Sequence, residues 1–232
     1  MCNIFFENKK FLMNSNILNS NKKNNNKEIR IIYAPQKTKN KRTKIFGSYF
    51  VNYNKYNCKI IFKDSEYDLI SYFNFENVNE IKLKINKNLK DISHMFEECE
   101  LLLLLPDFDN LNTSNIVDMN NLFYGCKSLL VLPDISNWDI SKVTNMSSMF
   151  NGCSSLSYLP NIEKWDLSNV TDINEMFKGC ISLCFIPKMN FKNYKYLNSI
   201  FNNCISLSYL PESNKITDKF YSIGNLINLL KY

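Results

Sequence analysis

The chain has 232 residues, of which 45% are hydrophobic, 22% are charged and 14% are aromatic. This composition predicts a packed globular core and, with five glycines and six prolines, excludes a collagen-like or linker-like chain. No run approaches about eighteen consecutive apolar residues, so no transmembrane helix is predicted. The net charge of +6 is uneven: residues 1–90 carry 18 Lys and Arg against 7 Asp and Glu, whereas residues 91–232 carry 10 against 15.

The N-terminal third divides into two parts by composition. Residues 1–27 contain the polar stretch NSNKKNN and are predicted to be disordered. Residues 28–85 are predicted to form a small basic β-rich module, because the runs EIRIIYA, NCKIIFK and EIKLKI are short, β-branched and alternating. The letters KDSE indicate a hairpin turn. A solvated segment explains the basic charge most simply, and a nucleic-acid surface is a weaker alternative.

A unit of 24 to 27 residues recurs from residue 86 to residue 211. Five copies align on one phenylalanine, and a cysteine follows it by three residues in every copy. The phenylalanines are Phe96, Phe123, Phe150, Phe177 and Phe201, and the cysteines are Cys99, Cys126, Cys153, Cys180 and Cys204. A unit of this length cannot bury its own apolar face, so the repetition predicts stacking of neighbouring units.

Each repeat is predicted to contain one short helix and one short strand. Apolar positions seven, four and one residues before the phenylalanine fit one face of a two-turn helix. Gly125, Gly152 and Gly179 then supply a left-handed residue after the phenylalanine turn, and a Leu-x-x-Leu-Pro segment supplies the strand. The predicted fold class is therefore an α/β solenoid, a leucine-rich-repeat-like stack preceded by the β-rich module.

The last residues, 212–232, are predicted to form a degenerate half-repeat that caps the stack. Phe220, Ile223, Leu226 and Leu229 fall at the offsets of the phenylalanine, the cysteine and the two leucines. A stack of repeats needs such a cap, because its last layer would otherwise expose apolar core.

The repeats resemble the BspA-like leucine-rich repeats, also described as the DUF285 family of surface-protein repeats. The family pattern is W-D-x-S-x-V-T-x-M-x-x-M-F-x-x-C-x-x-L, with Ile173 in its first Met position. The matching residues are Trp165, Asp166, Ser168, Val170, Thr171, Met176, Phe177, Cys180 and Leu183. The resemblance covers about residues 85–230. It implies a cell-surface adhesin as one function, and the sequons at Asn112, Asn145 and Asn169 would then be glycosylation sites.

No catalytic, cofactor or metal site is predicted. His94 is the one histidine and has no nucleophile signature beside it, while the cysteines lack the short C-x2-C spacing of zinc sites. They are expected to be reduced core residues. Trp138 and Trp165 are expected to pack in turns, each followed by an aspartate that caps a turn. Unpaired cysteines and the absence of a signal peptide favour the cytoplasm, with the cell surface as the alternative.

The predicted function is non-catalytic protein–protein interaction through the strand face of the solenoid. Tyr158, Phe185 and Tyr209 occupy one row between the leucines of successive repeats. This row either fills the core or forms an exposed aromatic strip, and such a strip can anchor a protein partner. The expected partner is another protein; no small-molecule substrate is expected, and nucleic acid is less favoured.

Overall fold

The computed structural model of the chain describes residues 28–36, 42–75, 79–86, 89–189, 191 and 197–207. The predicted disordered segment, 1–27, and the predicted cap, 212–232, lie outside the described residues. No helix within those ranges is both long and apolar enough to cross a membrane.

A five-stranded antiparallel sheet forms the N-terminal part of the structure. Its strands are β1 (Glu28–Tyr33), β3 (Cys58–Phe62), β4 (Ser65–Asp68), β6 (Glu80–Ile85) and β7 (Leu102–Leu104), in the order β4-β3-β6-β1-β7. The first, second and fourth of these strands are the three runs identified in the sequence. Their alternating burial places one face in the core, which is the pattern that period-2 sequences predict. Two further short strands, β2 (Thr43–Lys44) and β5 (Tyr72–Phe73), pair with each other.

A hairpin turn lies at the predicted letters, but it joins β3 to β4, a strand that was not predicted, instead of to the EIKLKI run. Phe62 pairs with Ser65, so the loop has two residues, Lys63 and Asp64, with φ of 48° and 61°. Two consecutive left-handed residues are the signature of a type I′ turn, whose twist matches that of the flanking strands.

Helix α1 (Ser48–Asn54) was not predicted. Its sequence, SYFVNYN, is rich in aromatic and β-branched residues, which favour strands. Tertiary contacts override that preference, because Phe50 is fully buried and Phe46, just before the helix, packs 5.7 Å from the ring of Phe96 in the first repeat.

The sheet and the first repeat are joined directly. Strand β7 lies within the first repeat and pairs with β1, with Ile32 opposite Leu104. Arg30 adds a bidentate ion pair to Asp107, with N–O distances of 2.6 and 3.1 Å. The core is therefore continuous from the sheet into the repeats.

The predicted α/β solenoid is wrong. The described strands form antiparallel sheets, and the described helices are α1, the four-residue α2 (Leu197–Ile200) and two 3-10 turns, Phe108–Asn110 and Leu167–Asn169. Only the first repeat contributes a strand in the described part of the chain. Apart from α2 in the fifth repeat, the described parts of the other repeats consist of turns. Isolated parallel bridges link Asp91 to Asp118, Asp118 to Asn145 and Asn145 to Asp172.

Alternating backbone hydrogen bonds replace the predicted helix in the first four repeats; in the fifth, the short helix α2 lies at the predicted position. In the second repeat, the N–H groups of Asn121 and Phe123 donate to carbonyls of the next layer, at 3.0 and 2.9 Å. Those of Leu122 and Tyr124 donate instead to carbonyls three residues earlier. An α-helix would direct every N–H to the carbonyl four residues back. Each segment is consequently a series of tight turns that shares half of its hydrogen bonds with its neighbour.

Phenylalanine rings form the centre of this stack. Consecutive rings from Phe96 to Phe201 lie 5.5–5.6 Å apart and within 12° of parallel. The predicted burial of the five cysteines is confirmed. From the second copy on, each thiol donates to the carbonyl of the preceding layer's phenylalanine, at 2.9–3.1 Å.

Candidate interaction surface

The predicted row is buried in its first two layers and exposed in its fourth. Leu104 and Val131, which hold this position in the first two layers, are 4% and 7% exposed. Tyr158 is half-buried, and burial raises the pKa of its hydroxyl. Phe185 is 45% exposed, and Tyr209 lies outside the described residues. The row is therefore core in its first two layers and surface by the fourth.

Backbone hydrogen bonding places Tyr158 and Phe185 in adjacent layers. The N–H of Cys184 donates to the carbonyl of Ser157 at 3.1 Å. Phe185 follows Cys184, and Tyr158 follows Ser157. The two aromatic residues therefore occupy equivalent positions in consecutive layers. This is the arrangement expected of the row, although no continuous strand carries it.

The residues directly after the cysteines form a second row, which also changes character from layer to layer. In the first two layers they are Glu100 and Lys127, whose side chains form an ion pair at 2.7 Å. In the fourth and fifth layers they are Ile181 and Ile205, which are 43% and 58% exposed. This second row is charged near the sheet and apolar in the C-terminal layers. We group the apolar residues that the two rows present in the third to fifth layers as the apolar patch; it comprises Tyr158, Ile181, Phe185 and Ile205.

The tryptophans and their aspartates have structural roles, as predicted. Trp138 and Trp165 are each 5% exposed and stack with ring centroids 6.1 Å apart. Asp139 and Asp166 accept hydrogen bonds from the N–H groups two residues later, at 3.0 and 2.9 Å. Among the described residues, no group of three or more His, Cys, Asp or Glu side chains could hold a metal ion.

The predicted sequons have side chains that take part in local hydrogen bonding. The Oδ1 atoms of Asn112 and Asn145 accept from serines two residues later, at 2.8–3.1 Å. Asn169 donates from Nδ2 to the carbonyl of Ser141 in the preceding layer, at 2.7 Å. Asn112 and Asn145 therefore shape turns, whereas Asn169 links two layers.

His94 lies at the junction of the sheet module and the repeats. Its Nδ1 is 3.0 Å from Oε1 of Glu97 and 3.4 Å from Nδ2 of Asn121, and its ring lies 5.0 Å from that of Tyr49. These partners are not the hydroxyl or thiol that a nucleophilic triad requires.

Charges on the outer face of the sheet are extensively paired. Lys59 pairs with Asp68 at 2.5 Å, and Lys84 pairs with Glu66. Lys82 completes the set with Glu28 at 3.6 Å. A nucleic-acid surface needs lysines available to phosphates, so these pairs weaken the nucleic-acid alternative for this face.

Three exposed tyrosines, two on α1 and one just after it, were missed in the sequence. Tyr49, Tyr53 and Tyr56 are 50%, 55% and 78% exposed. Their spacing of four and three residues is the period of one helix face, but that signal is informative only when the segment is known to be helical. The rings of Tyr49 and Tyr53 stack, with centroids 6.2 Å apart and planes 7° from parallel.

Comparison with known families identifies the repeats. The family model DUF285, described as a Mycoplasma protein of unknown function, matches residues 90–213, which is more than half of the chain. The chain belongs to the DUF285 family. No curated protein and no solved structure matches it. In this DUF285 chain, the matched segment begins at the first repeat and contains β7 and the apolar patch, whereas α1 and the other strands precede it.

Proposed function

We propose that this DUF285 chain is a non-catalytic module that binds another protein through the apolar patch. The observation that carries the proposal is the exposure of Phe185, 45%, in a row whose equivalent Val131 is 7% exposed. A large aromatic side chain on a surface is a typical anchor of protein interfaces, because it buries much area at a small entropic cost.

The backbone beneath the patch is well ordered by hydrogen bonds. The N–H of Gly179 donates to the carbonyl of Asn202 at 2.8 Å, and that of Phe177 donates to Ile200 at 3.0 Å. A preorganised surface loses little conformational entropy when a partner binds. The resemblance to BspA-like surface-protein repeats supports a binding role of the same general kind.

The absence of a catalytic role is also part of this proposal. His94 is engaged with Glu97 and Asn121, and burial raises the pKa of the Cys126 and Cys180 thiols well above the ordinary value. A thiol that stays protonated is a poor nucleophile. These features support packing roles for the residues that otherwise would be candidates for chemistry.

A photo-crosslinking experiment tests the proposal. A benzophenone-bearing residue in place of Phe185 of the full chain, expressed in its own host, should crosslink to a discrete protein. The same residue in place of Val117, which is 46% exposed but lies outside the patch, is the control. Equal crosslinking from both positions, or none from either, would contradict a binding role for the patch.

Truncation then separates binding from folding. We expect Phe185→Ala to weaken the captured complex by about 2 kcal/mol or more, while the free energy of unfolding changes by roughly 0.5 kcal/mol. Val131→Ala is the matched core control and should lower stability by about 1–2 kcal/mol. Should Phe185→Ala destabilise the fold as much as Val131→Ala, Phe185 is a core residue and the proposal fails.

A further inference from the structure

The stacked pair Tyr49 and Tyr53 forms an exposed aromatic surface on α1, which we call the tyrosine platform. The two rings lie one helical turn apart, nearly parallel, and about half of each side chain is exposed. The adjoining face of the helix buries Phe50 and Asn54. Tyr56 is excluded from the platform because the Lys55 ammonium already lies 4.9 Å from its ring centroid.

The first repeat holds the tyrosine platform rigidly. At the start of α1, the N–H of Gly47 donates to the carbonyl of Met95 at 2.9 Å. At its end, Nδ2 of Asn54 donates to the carbonyl of Asp91 at 3.2 Å. Between these points Tyr49 packs on the ring of His94. The rings are therefore positioned before any ligand arrives, which lowers the entropic cost of binding.

Asp91 lies next to the end of α1, because its backbone carbonyl accepts the hydrogen bond from Asn54. Asp91 and Asp118 are bridge partners in adjacent layers and are half-buried. The negative charge of Asp91 raises the pKa of the Tyr49 hydroxyl, with a smaller contribution from Asp118. Burial, together with Asp91, raises the pKa of Asp118 itself. The surface thus combines electron-rich ring faces with two neighbouring carboxylates.

We infer that the tyrosine platform and the carboxylates of Asp91 and Asp118 bind an arginine- or lysine-containing segment of a basic protein. A guanidinium or ammonium group is attracted to the face of a tyrosine ring, and a nearby carboxylate can accept a charge-assisted hydrogen bond from it. Tyrosine rings also stack on single-stranded nucleic acid, but phosphates would be repelled by these aspartates. This site is separate from the apolar patch.

Peptide binding to the full chain tests the inference. The probe is a fluorescein-labelled peptide of four arginines separated by glycines, measured by fluorescence anisotropy at about 20 mM salt, where surface charges are weakly screened. The comparison peptide carries citrulline, the neutral isostere, in place of arginine. We expect the arginine peptide to bind at least about fivefold more tightly than the citrulline peptide.

Variants locate the binding. Tyr53→Ala should weaken the arginine peptide about threefold, whereas Tyr72→Ala, at a tyrosine on β5 that is 46% exposed, should not. Asp118→Asn should weaken it to a similar extent. Asn is well matched there, because Asn145 holds the equivalent position and accepts the same kind of backbone bond. Asp166→Asn is the charge control and should leave binding unchanged.

Several outcomes would overturn the inference. Equal affinity for the arginine and citrulline peptides would show that the positive charge is not recognised. Equal losses of affinity in Tyr53→Ala and Tyr72→Ala would show that the tyrosine platform is not the binding site. Tyr53-dependent binding of a twelve-residue oligothymidine would assign the surface to nucleic acid instead. A dimer that sedimentation detects in the parent chain and not in Tyr53→Ala would assign it to a second copy.

Discussion

Two residues in most repeats adopt left-handed backbone conformations, and only one of them is marked in the sequence. The second follows the phenylalanine by two residues and is glycine in three layers, where φ is 69° to 75°. The first precedes the phenylalanine by two residues and is a different residue type in each layer. It is held by His94, Asn121, Ser148 and Glu175, with φ of 51° to 57°. The glycine column was therefore predictable as left-handed, whereas the other column was not.

Substitution of Gly152 tests the cost of the left-handed position. Its φ is +75°, and an added Cβ would meet atoms of Gly125 no closer than 3.5 Å, so the cost is conformational rather than steric. Gly152→Ala should lower the free energy of unfolding by about 1–2 kcal/mol, measured by urea denaturation. Gly152→Asn should cost less, because asparagine tolerates this region better and Asn203 occupies the equivalent position with φ of 62°. Equal stability of the glycine and alanine forms would contradict this prediction.

Gly47 is required for the opposite reason. A Cβ there would lie 1.9 Å from the carbonyl oxygen of His94, although its φ of −65° suits any residue. Gly47→Ala should therefore force α1 away from the first repeat and cost about 3 kcal/mol. The readout is urea denaturation, with Ser48→Ala, at an exposed neighbouring position, as the control. A loss below that of Gly152→Ala would mean that the junction is loose.

At the scale of elements, the apolar spacing of the repeats fits both a helix and a series of tight turns. A helix was therefore predicted where the second to fourth repeats form turns. Met119, Leu122 and Phe123 are all buried, as a helical face would require, yet Asn121 between them is left-handed. One such residue ends a helix. The spacing identified the buried side chains correctly, because both structures turn the same residues inward. It could not distinguish their hydrogen bonding, which depends on the neighbouring layer.

The repeat strands were predicted from the Leu-x-x-Leu-Pro segments. Only Leu102–Leu104 forms one within the described residues, and it does so by pairing with β1. Between the first two layers, Leu130 donates one long bond, 3.4 Å, to Leu103. A strand needs repeated bonds to a partner, and that partner was not identifiable within the repeat sequence. The hairpin, by contrast, depends on four adjacent residues and was predictable.

The β3–β4 hairpin should become more stable with residues that favour its turn. Lys63→Asn together with Asp64→Gly places Asn-Gly at two left-handed positions, which is the preferred type I′ pair. The gain should be about 1 kcal/mol in the free energy of unfolding. Lys63→Ala with Asp64→Ala is the matched control and should be destabilising. If Asn-Gly gives no gain over Lys-Asp, the turn does not limit the stability of the sheet.

At the scale of the whole molecule, one core is shared by the sheet, α1 and the stacked repeats. Composition separates residues 28–85 from the repeats in the sequence. It did not reveal that β7 belongs to both parts, because a pairing between distant segments leaves no local pattern. The candidate sites follow the same rule. Phe185 was found from its column, whereas the tyrosine platform requires α1 and the first two layers together.

The shared core also predicts that the fold is sensitive to alkali. Burial raises the pKa of Cys58 from 9.0 to about 12 and that of Cys204 from 9.0 to about 12, and it raises the pKa values of the thiols between the layers as well. In the unfolded chain these thiols would ionise near their ordinary value. Above that value the unfolded chain binds fewer protons than the folded one, so the free energy of unfolding falls as pH rises.

Urea denaturation between about pH 8 and pH 10, in the presence of a reducing agent, measures this loss. Below the pKa of the thiols in the unfolded chain, their contribution to the free energy of unfolding is complete. Above that pKa, each buried thiol should lower the free energy of unfolding by up to about 1.4 kcal/mol per pH unit. Keeping below pH 10 separates the thiols from Tyr33, whose buried hydroxyl also has a pKa raised well above 10.0. Cys153→Ser retains a hydroxyl that can donate to the Phe123 carbonyl but does not ionise in this range. The free energy of unfolding of Cys153→Ser should fall less steeply with pH than that of the parent chain, by about the contribution of one thiol. We expect this even though the variant is less stable at pH 8. Parallel slopes for the two proteins would show that Cys153 is not protected from ionisation by the stack.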